Sequence, residues 1–180
     1  MKKSTFITTI AFACIMLLST NIDAQEFAKM DKSPMDGASF PTSYKDANKQ
    51  IKIVYGRPQL NGREVSTLAK NGEVWRTGAN EAAELTLYKD MTLGSTPLKA
   101  GTYTFYVIPG DKEWTAIISK DLNVWGSYFY KEANDVARLA VPVTAGDSLE
   151  AFSMAFTEDG NTINMHLGWG TVRVAVPFTK

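Results

Sequence analysis

Eight residues between Tyr55 and Glu84 have the types and the spacing of a recognition site. These candidate ligand-binding residues are Tyr55, Arg57, Arg63, Trp75, Arg76, Asn80, Glu81 and Glu84. The planar guanidinium group of arginine matches carboxylates and phosphates, and its face stacks on aromatic rings. Such a cluster would suit a small anion, a glycan or an envelope protein as ligand.

The same cluster also has the composition of a braced turn. An ion pair between one of its three arginines and one of its two glutamates would hold an irregular segment in place. Gly78 and Asn80 would then meet the unusual backbone angles of the turn, or Asn80 would bond to neighbouring backbone amides. Because ion pairs in loops are common and few are functional, the bracing role is favoured.

A hydrolase is the catalytic alternative for these residues. Glu81 or Glu84 would act as general base, and Arg57 or Arg76 would stabilise developing negative charge. The chain has no Gly-x-Ser-x-Gly elbow and no glycine-rich phosphate loop. We therefore place a hydrolase second to a non-enzymatic binding or envelope-associated module, with a purely structural envelope protein as the third possibility.

Metal and cofactor chemistry has few candidate residues. Cys14 is the single cysteine and His166 the single histidine. If Met165 and Leu167 point inward along a strand, His166 points away from the core. We predict no cofactor and no metal site of the familiar zinc type, and an oxygen-only calcium site stays open.

Aromatic residues give a second, weaker signal for ligand binding. Trp114, Trp125, Tyr128 and Tyr130 would form a platform for stacking sugars if all four were exposed. Most aromatic side chains of a domain lie in its core, however, because they bury large apolar areas. The core interpretation is therefore favoured.

The N-terminus has the pattern of a signal peptide. Lys2 and Lys3 precede the apolar run from Phe6 to Leu18, and Ala24 supplies a small residue before a cleavage point. The run is shorter than the roughly 20 apolar residues of a membrane span. We predict a signal peptide over residues 1–24, export to the periplasm or the cell exterior, and no membrane span after cleavage.

The predicted mature chain has balanced charge. Without Lys2, Lys3 and Asp23, the 19 basic and 19 acidic residues become 17 and 18, a net charge of −1. A surplus of basic residues is what neutralises nucleic-acid phosphates, so nucleic acid is not an expected partner. We predict that residues 25–49 form an extended arm and that residues 50–180 form one domain.

Short β-strands must position the candidate residues, because apolar residues alternate along most of the chain. The alternating segments are QIKIVYG, ELTLYKD, GTYTFYVIPG, EWTAIIS, DVARLAVPV, LEAFSMAF, TINMHLGW and VRVAVPF. Their phase turns Phe105 and Phe156 inward, and it turns Thr104 and Tyr106 to the opposite face. We predict an all-β fold, a β-sandwich of jelly-roll or immunoglobulin-like type with about nine to ten strands.

Two local features interrupt this pattern. One short helix is predicted near Glu64 to Ala69. Between Trp169 and Val172 the apolar phase slips by one residue at Gly170, which indicates either a bulge or a tight turn.

Several segments resemble a known family. They are SPMDGASFP, VYGRPQLNGR, GEVWRTGANEAAEL, LKAGTYTFYVIPG, WTAIISKD, WGSYFY and DVARLAVPV. Over Ser33 to Pro177 they are similar to the bacterial domain of unknown function 2911. The resemblance implies an exported β domain of Bacteroidetes type and no activity that can be transferred. Relatives usually carry Phe-Gly and then Val-Pro-Tyr-Gly where this chain has Ser66, Thr67 and LAKNG, so a pocket lined by that Phe and Tyr would be altered.

Overall fold

The alternating apolar segments form β-strands in a computed structural model, which describes residues 26–180. The predicted signal peptide over residues 1–24 lies outside the described residues. Residues 26–30 are exposed, have no regular secondary structure and belong to a separate unit from Asp31–Lys180. Within Asp31–Lys180 the predicted all-β class and the predicted strand count are confirmed.

The regular secondary structure of the described chain consists of nine strands and two short helical turns. The strands are β1 (Met35–Phe40), β2 (Ile51–Gly56), β3 (Ala83–Leu87), β4 (Met91–Leu93), β5 (Thr96–Leu98), β6 (Gly101–Ile108), β7 (Glu113–Ser119), β8 (Asp135–Asp159) and β9 (Thr162–Thr179). They form one antiparallel sheet of order β1-β2-β3-β6-β7-β8-β9-β4-β5. The predicted helix is a single turn, α1 (Val65–Leu68), and a 3-10 turn covers Glu132–Asn134. The sandwich arrangement stays a prediction.

Strand β1 lies within the segment predicted as an arm. It pairs along its whole length with β2, from Met35 opposite Gly56 to Phe40 opposite Ile51. The sequence pattern did not predict this strand, because Pro34, Gly37 and polar residues obscure its alternation.

Strands β8 and β9 each join two segments that the sequence analysis treated as separate strands. Residues 135–142 of β8 pair with β7, and residues 143–159 pair with β9. The register shifts twice, on either side of the pair Leu149 and Gly170. Because Gly170 has a φ of +50° inside a continuing strand, its phase slip is an irregularity of the strand and not a turn.

The core joins the inward faces of most strands. Ile51, Ile53 and Tyr55 of β2 are buried as predicted. At its centre Trp75 stacks on Trp169 with ring centroids 5.4 Å apart and an interplanar angle of 12°. Contacts between aromatic rings stabilise a core beyond the apolar area that they bury, so this stack fixes the position of Trp75.

The outward face of β6 is also covered. Thr104 and Tyr106 are buried, with 3% and 1% of their surface exposed. The irregular segment after β7 covers them: the Thr104 hydroxyl donates to the Asp121 carbonyl at 2.6 Å, and Tyr130 packs edge-on against Tyr106 at 5.3 Å. The alternation correctly turned these two residues away from Phe105 but did not predict their burial, because alternation does not report what a loop places over a strand.

Replacing Phe105 with alanine is expected to lower the free energy of unfolding by roughly 3 to 5 kcal/mol, the usual range for emptying a buried phenylalanine site. Its side chain is completely buried, as its strand phase predicts. Urea unfolding measures the change, with the exposed Thr102→Ala on the same strand as control. A loss below about 1 kcal/mol would contradict the burial of this site.

Candidate functional site

The eight candidate residues separate into three places. The first is a cavity of about 320 Å³, which we call the basic cavity; its wall includes Arg63, Trp75, Arg76 and Asn80. The second is a pocket of about 200 Å³, which we call the acidic pocket; its wall includes Tyr55, Glu81 and Glu84. Arg57 lines neither wall.

A close contact between two backbone segments lies between these sites. A Cβ atom added to Gly56 would lie 2.4 Å from the carbonyl oxygen of Ala79, and one added to Gly78 would lie 2.9 Å from the carbonyl oxygen of Gly56. Gly56 lines the acidic pocket, whereas Gly78 and Ala79 line the basic cavity. Only glycine permits such an approach.

The segment from Trp75 to Asn80 follows an unusual path. Trp75 forms two backbone hydrogen bonds with Val107, and the Asn80 carbonyl accepts from the backbone N–H of Gly126 at 2.9 Å. Thr77 has a φ of +54° and Asn80 a φ of +62°. The positive φ of Asn80 agrees with its predicted role in the turn, whereas a β-branched residue such as Thr77 rarely adopts one. Thr77 is completely buried, so tertiary packing holds this conformation.

Arg76 does not form the predicted bracing ion pair. Within residues 26–180 no salt bridge joins it to Glu81 or Glu84. The fold separates the predicted partners: both glutamates line the acidic pocket, whereas Arg76 lines the basic cavity. The Nε atom of Arg76 is buried and has no hydrogen-bond partner in the described chain.

The other two arginines of the cluster bond elsewhere. Arg57 pairs with Asp36 at 3.1 Å and donates to the Phe152 carbonyl and the Ser153 hydroxyl at 3.0 and 2.7 Å. Arg63 donates to the carbonyls of Leu60 and Gln59. Arg57 therefore does brace the structure, but it does so through Asp36, Ser153 and a backbone carbonyl and not through Glu81 or Glu84.

The wall of the basic cavity carries positive charge only. Within the described residues its charged members are Lys32, Arg63 and Arg76, with no carboxylate among them. None of the three forms a salt bridge in residues 26–180. The sequence could not reveal this grouping, because Lys32 is far from Arg63 and Arg76 along the chain and only the fold brings the three together.

Tyr55 and Trp75 contribute mainly to the core. The Tyr55 oxygen accepts a hydrogen bond from the backbone N–H of Met154 at 2.8 Å. Burial raises the pKa of the Tyr55 phenol above its ordinary value, so the group is neutral at physiological pH. Trp75 is only 7% exposed, although it belongs to the wall of the basic cavity.

The acidic pocket does not assemble the hydrolase proposed as an alternative. Glu81 and Glu84 are exposed, and the described wall of their pocket contains no arginine. Arg57 bonds to Asp36 and the β8 backbone, and Arg76 lines the basic cavity. A general base next to a group that stabilises negative charge is therefore not formed from these four residues.

A larger cleft, of about 490 Å³, was not predicted from the sequence. Arg63 belongs to its wall as well, together with the carboxylates of Glu64, Asp111 and Glu150. Two of these carboxylates have partners: Glu150 accepts from the backbone N–H of Asn61 at 2.6 Å, and Asp111 accepts from an Asn71 amide at 2.5 Å. No motif signals this cleft, since its residues come from several separate segments.

The four aromatic residues of the suggested sugar-stacking platform do not lie together on the surface. Trp114 is in the core, while Trp125 and Tyr128 are 54% and 76% exposed. Tyr128 lines a pocket of about 160 Å³, which we call the tyrosine pocket. Tyr130 donates to Asp135 at 2.6 Å, and its partial burial raises its pKa to about 12.

Residues 26–180 contain neither a metal-binding cluster nor a membrane-spanning helix. No group of three or more histidine, cysteine, aspartate or glutamate side chains there is arranged to hold a metal ion. In the same residues no helix has the length and apolarity needed to cross a membrane. His166 lies between the buried Met165 and Leu167 and bonds to the Thr157 hydroxyl at 2.7 Å, as expected for an outward-facing strand residue.

The segment that departs from the family pattern does border cavities. Ser66 lines the larger cleft, and Thr67 lines the tyrosine pocket. Leu68 lines both the tyrosine pocket and the basic cavity. Residues of another size at this helical turn would therefore change the neighbouring cavities.

The fold is that of an all-β domain. Its basic cavity lies beside the stacked tryptophans of the core, and no carboxylate lines that cavity among the described residues. The chain belongs to the family described as "Protein of unknown function (DUF2911)", whose model matches residues 38–178. No curated protein and no solved structure matches the chain. The predicted family is thereby confirmed, and it brings no established activity.

Proposed function

We propose that this domain is an exported, non-enzymatic module that binds an anionic ligand in the basic cavity. One observation carries the proposal: Lys32, Arg63 and Arg76 line this cavity, with no carboxylate in its described wall. In a chain with equal numbers of acidic and basic residues, three cations around one cavity leave a local field that attracts anions.

The state of Arg76 supports the same function. A charged guanidinium with a buried, unpartnered N–H costs roughly 1 to 3 kcal/mol, because its hydration is lost without replacement. Repulsion from the other cations of the wall adds to this cost. The buried Nε is out of a ligand's reach, but an oxyanion beside the rest of the guanidinium offsets the repulsion between the cations, which supports an occupant of negative charge.

The proposed location follows from the N-terminus and not from the fold. Lys2 and Lys3 before the apolar run from Phe6 to Leu18 support export to the periplasm or the cell exterior. Ligands in that compartment would be small anions, acidic glycans or charged surfaces of envelope proteins.

Sulfate binding tests the function directly. Isothermal titration at constant ionic strength is expected to show saturable sulfate binding to the purified protein. Lys32→Gln should weaken this binding about two- to fivefold, the effect of one exposed charge. Lys99→Gln is the matched control, because it also removes one positive charge but at an exposed lysine that is paired with Asp90.

The comparison of the two lysine variants decides the result. Weaker binding in Lys32→Gln alone places the anion in the basic cavity. Equal affinities in both variants would mean that sulfate responds only to net charge, and absence of saturable binding would refute an anion site altogether.

A further inference from the structure

The basic cavity shares part of its wall with a second recess. Leu68, Trp75 and Arg76 line both the basic cavity and the tyrosine pocket. A Cβ atom added to Gly126 would lie 3.3 Å from Nη1 of Arg76 and 2.7 Å from the Tyr128 ring. The arginine and the exposed ring therefore flank the same glycine, and Arg76 belongs to the walls of both recesses.

The tyrosine pocket differs chemically from the basic cavity. Thr67 and Ser127 contribute hydroxyl groups, and Lys70 faces Glu73 at 3.8 Å, so these two charges of the wall balance. Tyr128 adds an aromatic ring that is 76% exposed. Beyond the shared Arg76, this recess offers hydrogen bonds and one apolar face, but no net attraction for an anion.

We propose that the anionic ligand is an acidic saccharide that spans both recesses. This inference rests on the proposed anion-binding function and extends it. The charged group of the sugar binds Arg76 in the basic cavity, and the adjoining ring lies against Tyr128. A sugar ring combines an apolar C–H face with hydroxyl groups at its edge, which is the combination that Tyr128, Thr67 and Ser127 accept.

The aromatic contact must come from Tyr128 and not from the tryptophans of the basic cavity. Trp75 and Trp169 are 7% and 1% exposed and stack on each other, so neither offers a free face to a ligand. Trp125 is exposed, but it lines neither the basic cavity nor the tyrosine pocket, and its backbone pairs with Glu81 of the acidic pocket. Tyr128 is thus the exposed ring that borders Arg76 in the described chain.

Two acidic oligosaccharides test the proposal and separate the two sources of charge. Tetragalacturonate supplies carboxylates, and a chondroitin sulfate tetrasaccharide supplies sulfate esters in addition. Fully methyl-esterified tetragalacturonate keeps the rings but removes the charge. We expect at least one acidic oligosaccharide to bind about tenfold more tightly than inorganic sulfate, and the methyl ester to bind much more weakly.

Matched aromatic variants locate the ring contact. Tyr128→Ala is expected to weaken binding of the acidic oligosaccharide about tenfold and to leave the sulfate affinity within about twofold. Tyr128→Phe should retain most of the affinity, since it keeps the ring. Phe129→Ala is the control, because Phe129 is 74% exposed and is not part of the tyrosine pocket.

The outcomes distinguish this inference from the function on which it rests. Sulfate binding without any gain from either oligosaccharide overturns the saccharide and leaves the anion site intact. Equal oligosaccharide affinities in Tyr128→Ala and Phe129→Ala would likewise overturn the saccharide contact alone. Absence of saturable sulfate binding removes the anion site itself, and the saccharide proposal with it.

Discussion

Gly56→Ala is expected to lower the free energy of unfolding by roughly 3 kcal/mol or more, at the upper end of the range for overpacking. The added methyl group would lie 2.4 Å from the Ala79 carbonyl oxygen, well inside van der Waals contact. Its neighbour is backbone and not a flexible side chain, so relief requires moving a whole chain segment. Urea unfolding of the variant beside wild type measures the loss.

The same substitution should also weaken anion binding. Gly78 and Ala79 line the basic cavity, so moving them away from Gly56 displaces part of its wall. Gly37→Ala in the neighbouring strand β1 is the matched control, because the nearest atom to its methyl group would be the Ile53 carbonyl oxygen at 3.4 Å, an ordinary contact. If both variants lost equal stability, the close backbone contact would not be the cause.

Much of the fold could be predicted because each strand carries its own alternation. Phe105 and Phe156 are buried as their strand phase predicts, and Phe152 and Met154 follow the same phase in β8. This signal is local, since a side chain two residues away points to the same face. It fails where burial comes from elsewhere, as at Tyr106, which Tyr130 of a distant segment covers.

The candidate site could be predicted only in part, for a related reason. Types and spacing identified Arg76 and Asn80, but proximity in sequence suggested that Arg76 pairs with Glu81 or Glu84. The fold instead places them in the walls of different cavities. The third cation, Lys32, lies next to the other two only in the folded chain. No local sequence pattern indicates that such distant segments come together.

Arg76→Met should leave the free energy of unfolding unchanged within about 0.5 kcal/mol or raise it by about 1 kcal/mol. Methionine keeps an unbranched apolar chain that fills much of the same space, while the charge and the unpartnered N–H disappear. Anion affinity should fall tenfold or more, because charge-assisted hydrogen bonds of roughly 1.5 to 3 kcal/mol are lost. Unfolding without ligand and sulfate titration measure the two effects.

Arg57→Met is the matched control, and it should behave in the opposite way. Arg57 lies outside the basic cavity and bonds to Asp36, Ser153 and the Phe152 carbonyl, so its loss should cost roughly 2 to 3 kcal/mol of stability. Its sulfate affinity should stay within about twofold of wild type. A large loss of stability in Arg76→Met with sulfate binding retained would instead show that Arg76 has a structural role like that of Arg57. The two arginines, 19 positions apart, thus test the bracing and binding interpretations, because Arg57 has its partners within the fold, whereas the proposed partner of Arg76 is a ligand.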